Sequence, residues 1–158
     1  MTVNIEKLEF TCPGLQDGGK FPPEYTGRGA DTSPEFIISN LSPQGKTVAI
    51  TLDDIKNQFL GILNHWVIWN IPAMAKIPGA VPAGKEVPPL GGAVQGVGYG
   101  RHKYAGPKPP RGTSHIYRFD VYVLDCTLNL KSGSGKKEFL SAAEGHILQH
   151  GSLTGAFE

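Results

Sequence analysis

Alternating polar and apolar residues mark a first strand in residues 45–54, GKTVAITLDD. Val48, Ile50 and Leu52 lie on one side of an extended backbone, because successive side chains of a strand point to opposite faces. Asp54 continues the same side. The pattern therefore predicts a half-buried strand that carries a carboxylate on its apolar face.

Two further segments have the composition of strands. Residues 64–72, NHWVIWNIP, carry β-branched and aromatic side chains on both sides and end at a proline, which indicates a central strand covered on both faces. Residues 114–125, SHIYRFDVYVLD, alternate along their length, with His115, Tyr117 and Phe119 at the start of one face. The second segment predicts the most regular strand of the chain, with two polar aromatic rings at its beginning.

Near the end of the chain the apolar period changes from two to about 3.6. In residues 136–149, KKEFLSAAEGHILQ, Phe139 and Ala143 have helical spacing, and Gly151 stands where a helix stop would fall. Gly145 lowers the stability of such a helix by roughly 1 kcal/mol relative to alanine, so the helix depends on packing. We expect one helix over residues 136–149.

The remaining segments are rich in turns. The chain has 21 glycines and 13 prolines spread between apolar runs, which predicts many turns and short strands rather than disorder. Residues 1–35 indicate edge strands and loops, and residues 73–112 a long loop stiffened by its prolines. A length of 158 residues suits one domain with one substantial core, and we predict a single domain over residues 1–158.

Composition and charge exclude several classes of function. Charged residues are 18% of the chain and the formal net charge is +1, without the clustered basic face that nucleic acid requires. No segment approaches the roughly 18 apolar residues of a membrane helix, and the opening MTVNIEKLEF lacks the apolar core of a signal peptide. We predict no nucleic-acid partner, no transmembrane segment and a cytoplasmic location.

The two cysteines, Cys12 and Cys126, agree with that location. They provide no disulfide framework and have no metal-ligand spacing. A reduced protein is the expectation, with a single disulfide between them left open. We predict no metal and no cofactor, because the chain has no HExxH pair and its GGAVQGVGYG segment lacks the GxGxxG and GK[ST] patterns of phosphate loops.

Polar side chains at inward strand positions are the candidates for chemistry. Asp54, His65, His115 and Tyr117 lie on three separate segments. A buried carboxylate needs a hydrogen-bond donor, and a histidine can donate from one ring nitrogen while the other faces a ligand. With a tyrosine hydroxyl, these groups would bind a phosphate or carboxylate, inside a rim that the prolines after Gly106 stiffen.

Each candidate also has an ordinary structural interpretation. Asp53 and Asp54 are typical of a turn at a strand end, and a histidine beside Trp66 is typical of a satisfied core or edge residue. His146 and His150 are four residues apart on the predicted helix, where an exposed pair is more common than a metal site. The pattern alone leaves these alternatives open.

Motifs from most of the chain match one known family. The segments are LDD, HWVIWNIP, Gln95-Gly96 and YAGPKPPRGTSHIYRFDVYVLD, together with FPPEYTGRGADTSPEF near the start and AAEGHIL near the end. They resemble the phosphatidylethanolamine-binding protein family, and its bacterial and archaeal branch of Raf-kinase-inhibitor-like proteins in particular. The likeness runs from about residue 10 to about residue 150.

The resemblance implies a fold and a pocket. The fold would be mainly β, a large antiparallel sheet packed on a smaller sheet, with few helices including one near the C-terminus. Gly106 and the Pro109-Pro110 turn would form the rim of the pocket. Matched motif by motif, the family's pocket residues fall on Asp54, His65, His115 and Tyr117.

The chain departs from the family's motifs in two places. The family's DPDAP is replaced by DIKNQ at residues 54–58, without both prolines and the second carboxylate, while Asp54 still lies eleven residues before His65. Lys56 in place of that carboxylate makes the pocket entrance more positive, which favours anions. The family's HRY reads HIY here, and whether Arg118 compensates for the missing arginine stays open.

These observations lead to three hypotheses. We expect a rigid pocket that binds a phosphate-type headgroup or similar small anion without turnover, because no nucleophile with an adjacent base is evident. By resemblance alone, such a protein would act on a kinase or a protease as an inhibitor. The alternative is a weak hydrolase in which Asp54 orients His65 as a general base. A third option is a protein–protein inhibitor that uses the stretch from Ile77 to Leu90. A homodimer is left open.

Overall fold

The computed structural model describes residues 4–57 and 61–158, which form mainly β-strands. Two short 3-10 helices, Pro23–Tyr25 and Pro88–Leu90, lie in loops. A helix near the C-terminus is present, as the resemblance implies. In chain order the elements are β1 (Glu6–Lys7), β2 (Phe10–Thr11), β3 (Gly19–Lys20), β4 (Phe36–Ile38), β5 (Thr47–Asn57), β6 (Gly61–Pro72), β7 (Lys76–Ile77), β8 (Glu86–Val87), β9 (Ala93–Gln95), β10 (His115–Leu124), α1 (Lys136–Ala143) and β11 (Ile147–Phe157).

The large sheet has eight strands in the order β1-β11-β10-β5-β6-β9-β8, with β3 also paired to β11. Its centre is β10, β5 and β6, the three strands that the sequence predicts, and these pair antiparallel. At the β11 edge, β1 and β3 pair parallel. The predicted antiparallel sheet is confirmed, with parallel pairs at that edge as a detail the sequence did not indicate.

The small sheet, in the order β2-β4-β7, packs on one face of the large sheet. Phe36 and Ile77 of the small sheet share one buried cluster with Leu52 and Phe119 of the large sheet, and the rings of Phe36 and Phe119 meet edge to face at 5.1 Å. Removal of these side chains from water drives the two sheets together. Leu52 and Phe119 lie on the faces that alternation predicts, whereas Ile77 lies in a short strand within the segment predicted to be a long loop.

Helix α1 covers the opposite face of the large sheet. Phe139 and Ala143 are buried there, and the Phe139 ring stacks on Trp69 with ring centroids 6.1 Å apart. The helix begins after Gly135, whose N–H donates to the Glu138 carboxylate at 2.7 Å. Strand β6 is therefore covered on both faces, as its apolar residues predict.

The predicted helix over residues 136–149 is wrong beyond Ala143. Gly145 has φ = 83°, a left-handed conformation that ends a helix and that glycine adopts without strain. The chain then enters β11, which pairs along the whole of β10 and contains Gly151. Pairing with β10 over this length determines the conformation of these residues, although a few of their apolar side chains have helical spacing.

The fold also decides three smaller expectations. Cys12 and Cys126 are free thiols, so the disulfide left open does not form. His146 precedes β11 and His150 lies within it, so the predicted pair on one helix face does not form either. Among the residues described, no helix has the length and apolar character needed to cross a membrane.

Candidate functional site

An aspartate and a histidine on neighbouring strands form the centre of the candidate site. In the register of β5 and β10, Asp54 lies opposite Tyr117. His115, two residues earlier on the same face, is therefore diagonally beside the carboxylate. The His115 Nδ1 and Asp54 Oδ2 atoms are 2.6 Å apart, and 4% of the Asp54 side chain and 14% of the His115 side chain are exposed. The carboxylate holds this imidazole in one orientation.

A β-bulge brings His65 to the same place. Strands β5 and β6 shift register between Leu52 and Asp53, and the extra residue on β6 is His65. Regular alternation would put His65 on the side of Val67, which faces helix α1. A bulge re-aims a side chain, and the His65 ring instead meets Tyr117 edge to face, with ring centroids 5.5 Å apart.

Two contacts fix the His65 ring. Its Nδ1 atom lies 2.9 Å from the carbonyl oxygen of Ala105, and because a carbonyl only accepts, Nδ1 carries the hydrogen. The Tyr99 ring contacts the His65 ring at a tilt of 39°, with centroids 4.7 Å apart, and Tyr99 is itself 52% exposed. Burial lowers the pKa of His65 below its ordinary 6.5, against the Ala105 carbonyl and the Asp54 carboxylate, which act in the opposite direction. The free protein therefore holds this ring mostly neutral at pH 7.

Tyr117 lies between the two imidazoles. Its ring centroid is 5.5 Å from that of His65 and 6.3 Å from that of His115, and the residue is buried. Burial, and then the Asp54 carboxylate, raise the pKa of the Tyr117 hydroxyl above its ordinary 10. The hydroxyl stays protonated and can donate. The four side chains predicted from three separate segments are thus brought together.

The proline-rich loop after Gly106 is tied to the segment before β4. The Gly106 N–H donates to Asp31 Oδ1 at 2.7 Å, and a Cβ atom at Gly106 would collide with the carbonyl oxygen of Tyr25. Arg28 Nη2 donates to the Pro109 carbonyl at 2.8 Å. Gly106 and Pro109 therefore belong to a wall held by two hydrogen bonds, and this wall adjoins the Ala105 carbonyl that orients His65.

One predicted pairing is not formed. Asp54 bonds His115, whereas His65 bonds Ala105. The Asp54–His65 base pair of the hydrolase alternative is therefore wrong, because the bulge and the Ala105 carbonyl turn the Nδ1 atom of His65 away from the carboxylate.

Arg118 does not supply the arginine that Ile116 replaces. Its Nε donates to Asp120 Oδ2 at 2.8 Å, on the face of the sheet opposite the candidate site, where alternation places both residues. At the position of the family's second carboxylate, the Lys56 side chain is exposed. Gln58, the last residue of the altered motif, lies outside the described residues.

The donor set suits an anion better than a metal. Asp54 Oδ1 accepts the backbone N–H of Lys56 at 3.0 Å, and Oδ2 accepts from His115. Both carboxylate oxygens are thus engaged before any ligand arrives. What remains for a ligand is the outer nitrogen of each imidazole and the Tyr117 hydroxyl.

Sequence reasoning missed three residues around the site: Arg28, Asp31 and Tyr99. Asp31 and Tyr99 have φ of 56° and 52°, a conformation uncommon outside glycine that often marks functional sites. A signal was available for Arg28 and Asp31, because both lie in FPPEYTGRGADTSPEF, one of the segments that carry the resemblance. No pattern pointed to Tyr99.

A groove of about 570 Å³ adjoins the site beside His115. Phe157 lies opposite His115 in the sheet, and Phe21 meets Tyr117 edge to face at 5.9 Å. An apolar surface thus begins where the polar site ends. The groove is lined by Gly14, Lys20, Phe21, Pro22, Pro23, Ser114, Ala156, Phe157 and Glu158.

Comparisons with known sequences point to one protein family. The profile of the family described as phosphatidylethanolamine-binding protein matches residues 11–158. A UPF0098 protein of Pyrococcus horikoshii is 40% identical over 156 residues, which are 97% of this chain and 78% of that protein. Another, of Pyrococcus abyssi, is 43% identical over 139 residues, or 87% of this chain and 78% of that protein.

Solved structures have the same architecture. A phosphatidylethanolamine-binding protein homolog of Chlamydia trachomatis superposes with a TM-score of 0.82 at 25% identity, covering 97% of this chain and 98% of its own. Escherichia coli YbcL, described as a member of the mammalian family, superposes with a TM-score of 0.84 at 23% identity over 96% and 98% of the two chains, and supports the fold alone. Because the family profile spans nearly the whole chain, this protein belongs to the phosphatidylethanolamine-binding protein family, among its prokaryotic members.

Proposed function

We propose that this protein binds a small oxyanion, a phosphate group or a phosphate-bearing headgroup, between His65, His115 and Tyr117 without turning it over. The observation that carries the proposal is that both imidazoles have their Nδ1 atoms committed. One is bonded to Asp54 at 2.6 Å and the other to the Ala105 carbonyl at 2.9 Å. Each ring is left with its Nε2 atom for a ligand.

The tautomers set the pH dependence of binding. With hydrogen on Nδ1, a neutral ring offers an acceptor at Nε2, and a protonated ring offers a donor there. A fully ionised anion needs the donor, so its binding favours the protonated form of an imidazole that it contacts. We therefore expect affinity to increase as pH falls below about 7.

The same groups are poor candidates for turnover. Asp54 has both oxygens engaged, so it orients His115 and is not free to attack a substrate. The raised pKa of Tyr117 keeps that hydroxyl protonated and weakly nucleophilic at neutral pH. Binding is the chemistry that this arrangement supports best.

The groove beside His115 favours a ligand with an apolar part. A headgroup in the polar site would leave an attached chain next to Phe21 and Phe157. Burial of apolar surface contributes about 25 cal/mol per Å², so an apolar extension should raise affinity over the headgroup alone.

The two free cysteines accord with the cytoplasmic location predicted from the sequence.

Calorimetric titration of the parent and of His115→Ala with phosphate, sulfate, phosphoethanolamine and acetate tests the proposal. The parent should bind phosphate and sulfate weakly, with Kd on the order of 1 mM. His115→Ala should lower the affinity by about 10- to 100-fold, because a hydrogen bond to a charged group contributes about 1.5–3 kcal/mol. A short-chain phosphatidylethanolamine that binds more tightly than phosphoethanolamine would assign the groove to the ligand's chain.

Sulfate separates the titration of the protein from that of the ligand, because sulfate keeps its full charge over the whole range where histidines titrate. As pH falls from 7.5 to 6, its affinity should rise by up to about tenfold per pH unit for each ring that must be protonated, as long as pH is above that ring's pKa. His146→Ala, a change at the far end of β10, is the matched control and should bind as the parent does.

Flat titrations for every anion at pH 6, or affinities that His115→Ala leaves unchanged, would reject an anion site. Hydrolysis of a phosphate or acyl ester that is lost in both His65→Ala and His115→Ala would replace binding with catalysis. Circular dichroism of each variant confirms that the fold is intact.

A further inference from the structure

A second cluster of ligating side chains lies at the opposite end of β10 from the anion site. Asp125, Cys126 and His146 each place one ligand atom within 4.8 Å of those of the other two. The atoms are a carboxylate oxygen, a thiol sulfur and a ring nitrogen. Because His115 begins β10 and Asp125 follows its last residue, the two sites are separated by the length of a ten-residue strand, roughly 30 Å.

Hydrogen bonds fix the backbone at each of the three residues. The Asp125 N–H donates to the His146 carbonyl at 3.0 Å, and the His146 N–H donates to the Ala143 carbonyl at 2.9 Å. The hydroxyl of Thr47, a buried residue, donates to the Cys126 carbonyl at 2.7 Å. Strand β5, strand β10 and the end of α1 therefore set the positions from which the side chains extend.

The three donors are those that zinc uses in proteins. Thiolate, imidazole and carboxylate bind Zn²⁺ at about 2.0–2.3 Å in tetrahedral geometry, which places ligand atoms about 3.3–3.7 Å apart. The His146 Nδ1 and Asp125 Oδ1 atoms are now 2.9 Å apart, and the third atom lies within 4.8 Å. Asp125 and His146 are about half exposed, so rotamer changes of an ångström or less meet little resistance.

We propose that Asp125, Cys126 and His146 form a three-ligand site for Zn²⁺ or a similar borderline divalent cation. The fourth coordination position would be open to water, as it is in zinc sites with three protein ligands. The site is independent of the proposed anion pocket, because it shares none of its residues and lies at the other end of β10.

The thiol decides whether the cluster is a metal site. An exposed Asp125–His146 ion pair by itself contributes little to the stability of the fold. A metal binds the cysteine side chain as a thiolate, so the thiol proton must leave. A cation must displace that proton when the sulfur binds it, and binding should therefore release protons and strengthen as pH rises.

Titration of the reduced, chelator-treated protein with Co²⁺, followed by competition with Zn²⁺, tests the site. We expect one equivalent of Co²⁺ to produce a thiolate-to-cobalt charge-transfer band with the visible bands of tetrahedral cobalt, and Zn²⁺ to abolish both. Cys126→Ser should remove the charge-transfer band. Cys126→Ser, Asp125→Asn and His146→Gln should each weaken Zn²⁺ binding by at least about 10- to 100-fold. Loss of a residue that only hydrogen-bonds a ligand already has an effect of that size, and these three residues are the ligands themselves.

Glu144→Gln changes an exposed carboxylate two residues before His146 and should leave Zn²⁺ affinity unchanged. Absence of the charge-transfer band, its persistence in Cys126→Ser, or equal loss of affinity in Glu144→Gln would overturn the proposal. Binding of half an equivalent with metal-dependent dimerisation would also overturn it, because the ligands would then come from two chains. Circular dichroism excludes unfolding as the cause of any loss.

Discussion

Asp53 and Asp54 are neighbours in the sequence and serve opposite faces of the large sheet. Asp53 is fully buried on the face that helix α1 covers, where Lys136 Nζ and Asn64 Nδ2 donate to it at 2.7 Å and 3.0 Å. Asp54, on the other face, holds His115 beside the open site. One carboxylate links a helix to a sheet, and the other orients an imidazole beside the proposed anion site.

The difference between the two carboxylates lies in the partner. A lysine keeps its charge across the neutral range, whereas a histidine gains charge as pH falls through its pKa. The partner of Asp53 belongs to helix α1, and the partner of Asp54 belongs to the open site. Substitutions on the helix-covered face should alter stability, and substitutions on the open face should alter binding and its pH dependence.

The largest effect is expected for Asp53→Ala. The substitution removes the acceptor of Lys136 and of Asn64 and leaves a mostly buried ammonium group unpaired. Breaking a buried ion pair in this way costs about 3–5 kcal/mol of unfolding free energy. Urea denaturation measures it.

Lys136→Met and the double variant Asp53→Ala/Lys136→Met complete a cycle for this pair. The double variant should lose less stability than the two single variants together, because it leaves no unpaired charge. Strictly additive losses, or a cost below about 1 kcal/mol for Asp53→Ala, would show that Asp53 does not anchor α1.

The next largest effect is expected at Asp31, on the side of the open site. Asp31→Ala removes the acceptor of the buried Gly106 N–H and places alanine at φ = 56°, which together should cost about 2–3 kcal/mol. Asp31→Asn keeps an acceptor and tolerates that conformation, and is the matched control. Urea denaturation gives the stabilities, and equal losses in the two variants would contradict a role for this hydrogen bond.

The centre of the fold and of the site could be predicted from local patterns. Alternation identified β5, β10 and the face of Asp54, because successive side chains of a strand point to opposite faces. Composition identified β6, because its β-branched and aromatic residues occupy both faces. It could not place His65, which reaches the pocket through a bulge that no turn residue or change of composition announces. Sequence reasoning missed Asp31 for a related reason, because its role depends on a contact with Gly106, 75 residues away in the chain.

A smaller effect should appear in the pH dependence of stability. Burial lowers the pKa of His65 in the folded protein, so the unfolded chain binds more protons once pH falls below about 6.5. Stability from this residue is complete above that value and is lost as pH falls towards the folded pKa, by at most about 1.4 kcal/mol per pH unit. Urea denaturation between pH 7.5 and 5.5 should show this slope in the parent and not in His65→Gln.

Phosphate should reduce this loss of stability at low pH, because a bound anion favours the protonated ring. At pH 5.5, saturating phosphate should therefore stabilise the parent more than it does at pH 7.5. If His65→Gln retains the full slope, the loss of stability at low pH belongs to other groups and His65 is not held neutral by burial.

The smallest effect concerns the end of α1, where prediction from the sequence was wrong. The apolar period of residues 136–149 continues past Ala143, yet the backbone turns at Gly145 with φ = 83° and enters β11. A Cβ atom at Gly145 would have no neighbour within 4 Å, so Gly145→Ala introduces backbone strain without a clash. We expect a loss of about 1 kcal/mol of unfolding free energy in urea denaturation.

Gly133→Ala is the control, because a Cβ atom there also meets nothing and φ is not positive. It should lower stability by less. If instead Gly145→Ala stabilised the protein, as alanine does inside a helix, the helix would extend beyond Ala143 in solution and the pairing of β11 with β10 would have to begin later than Ile147.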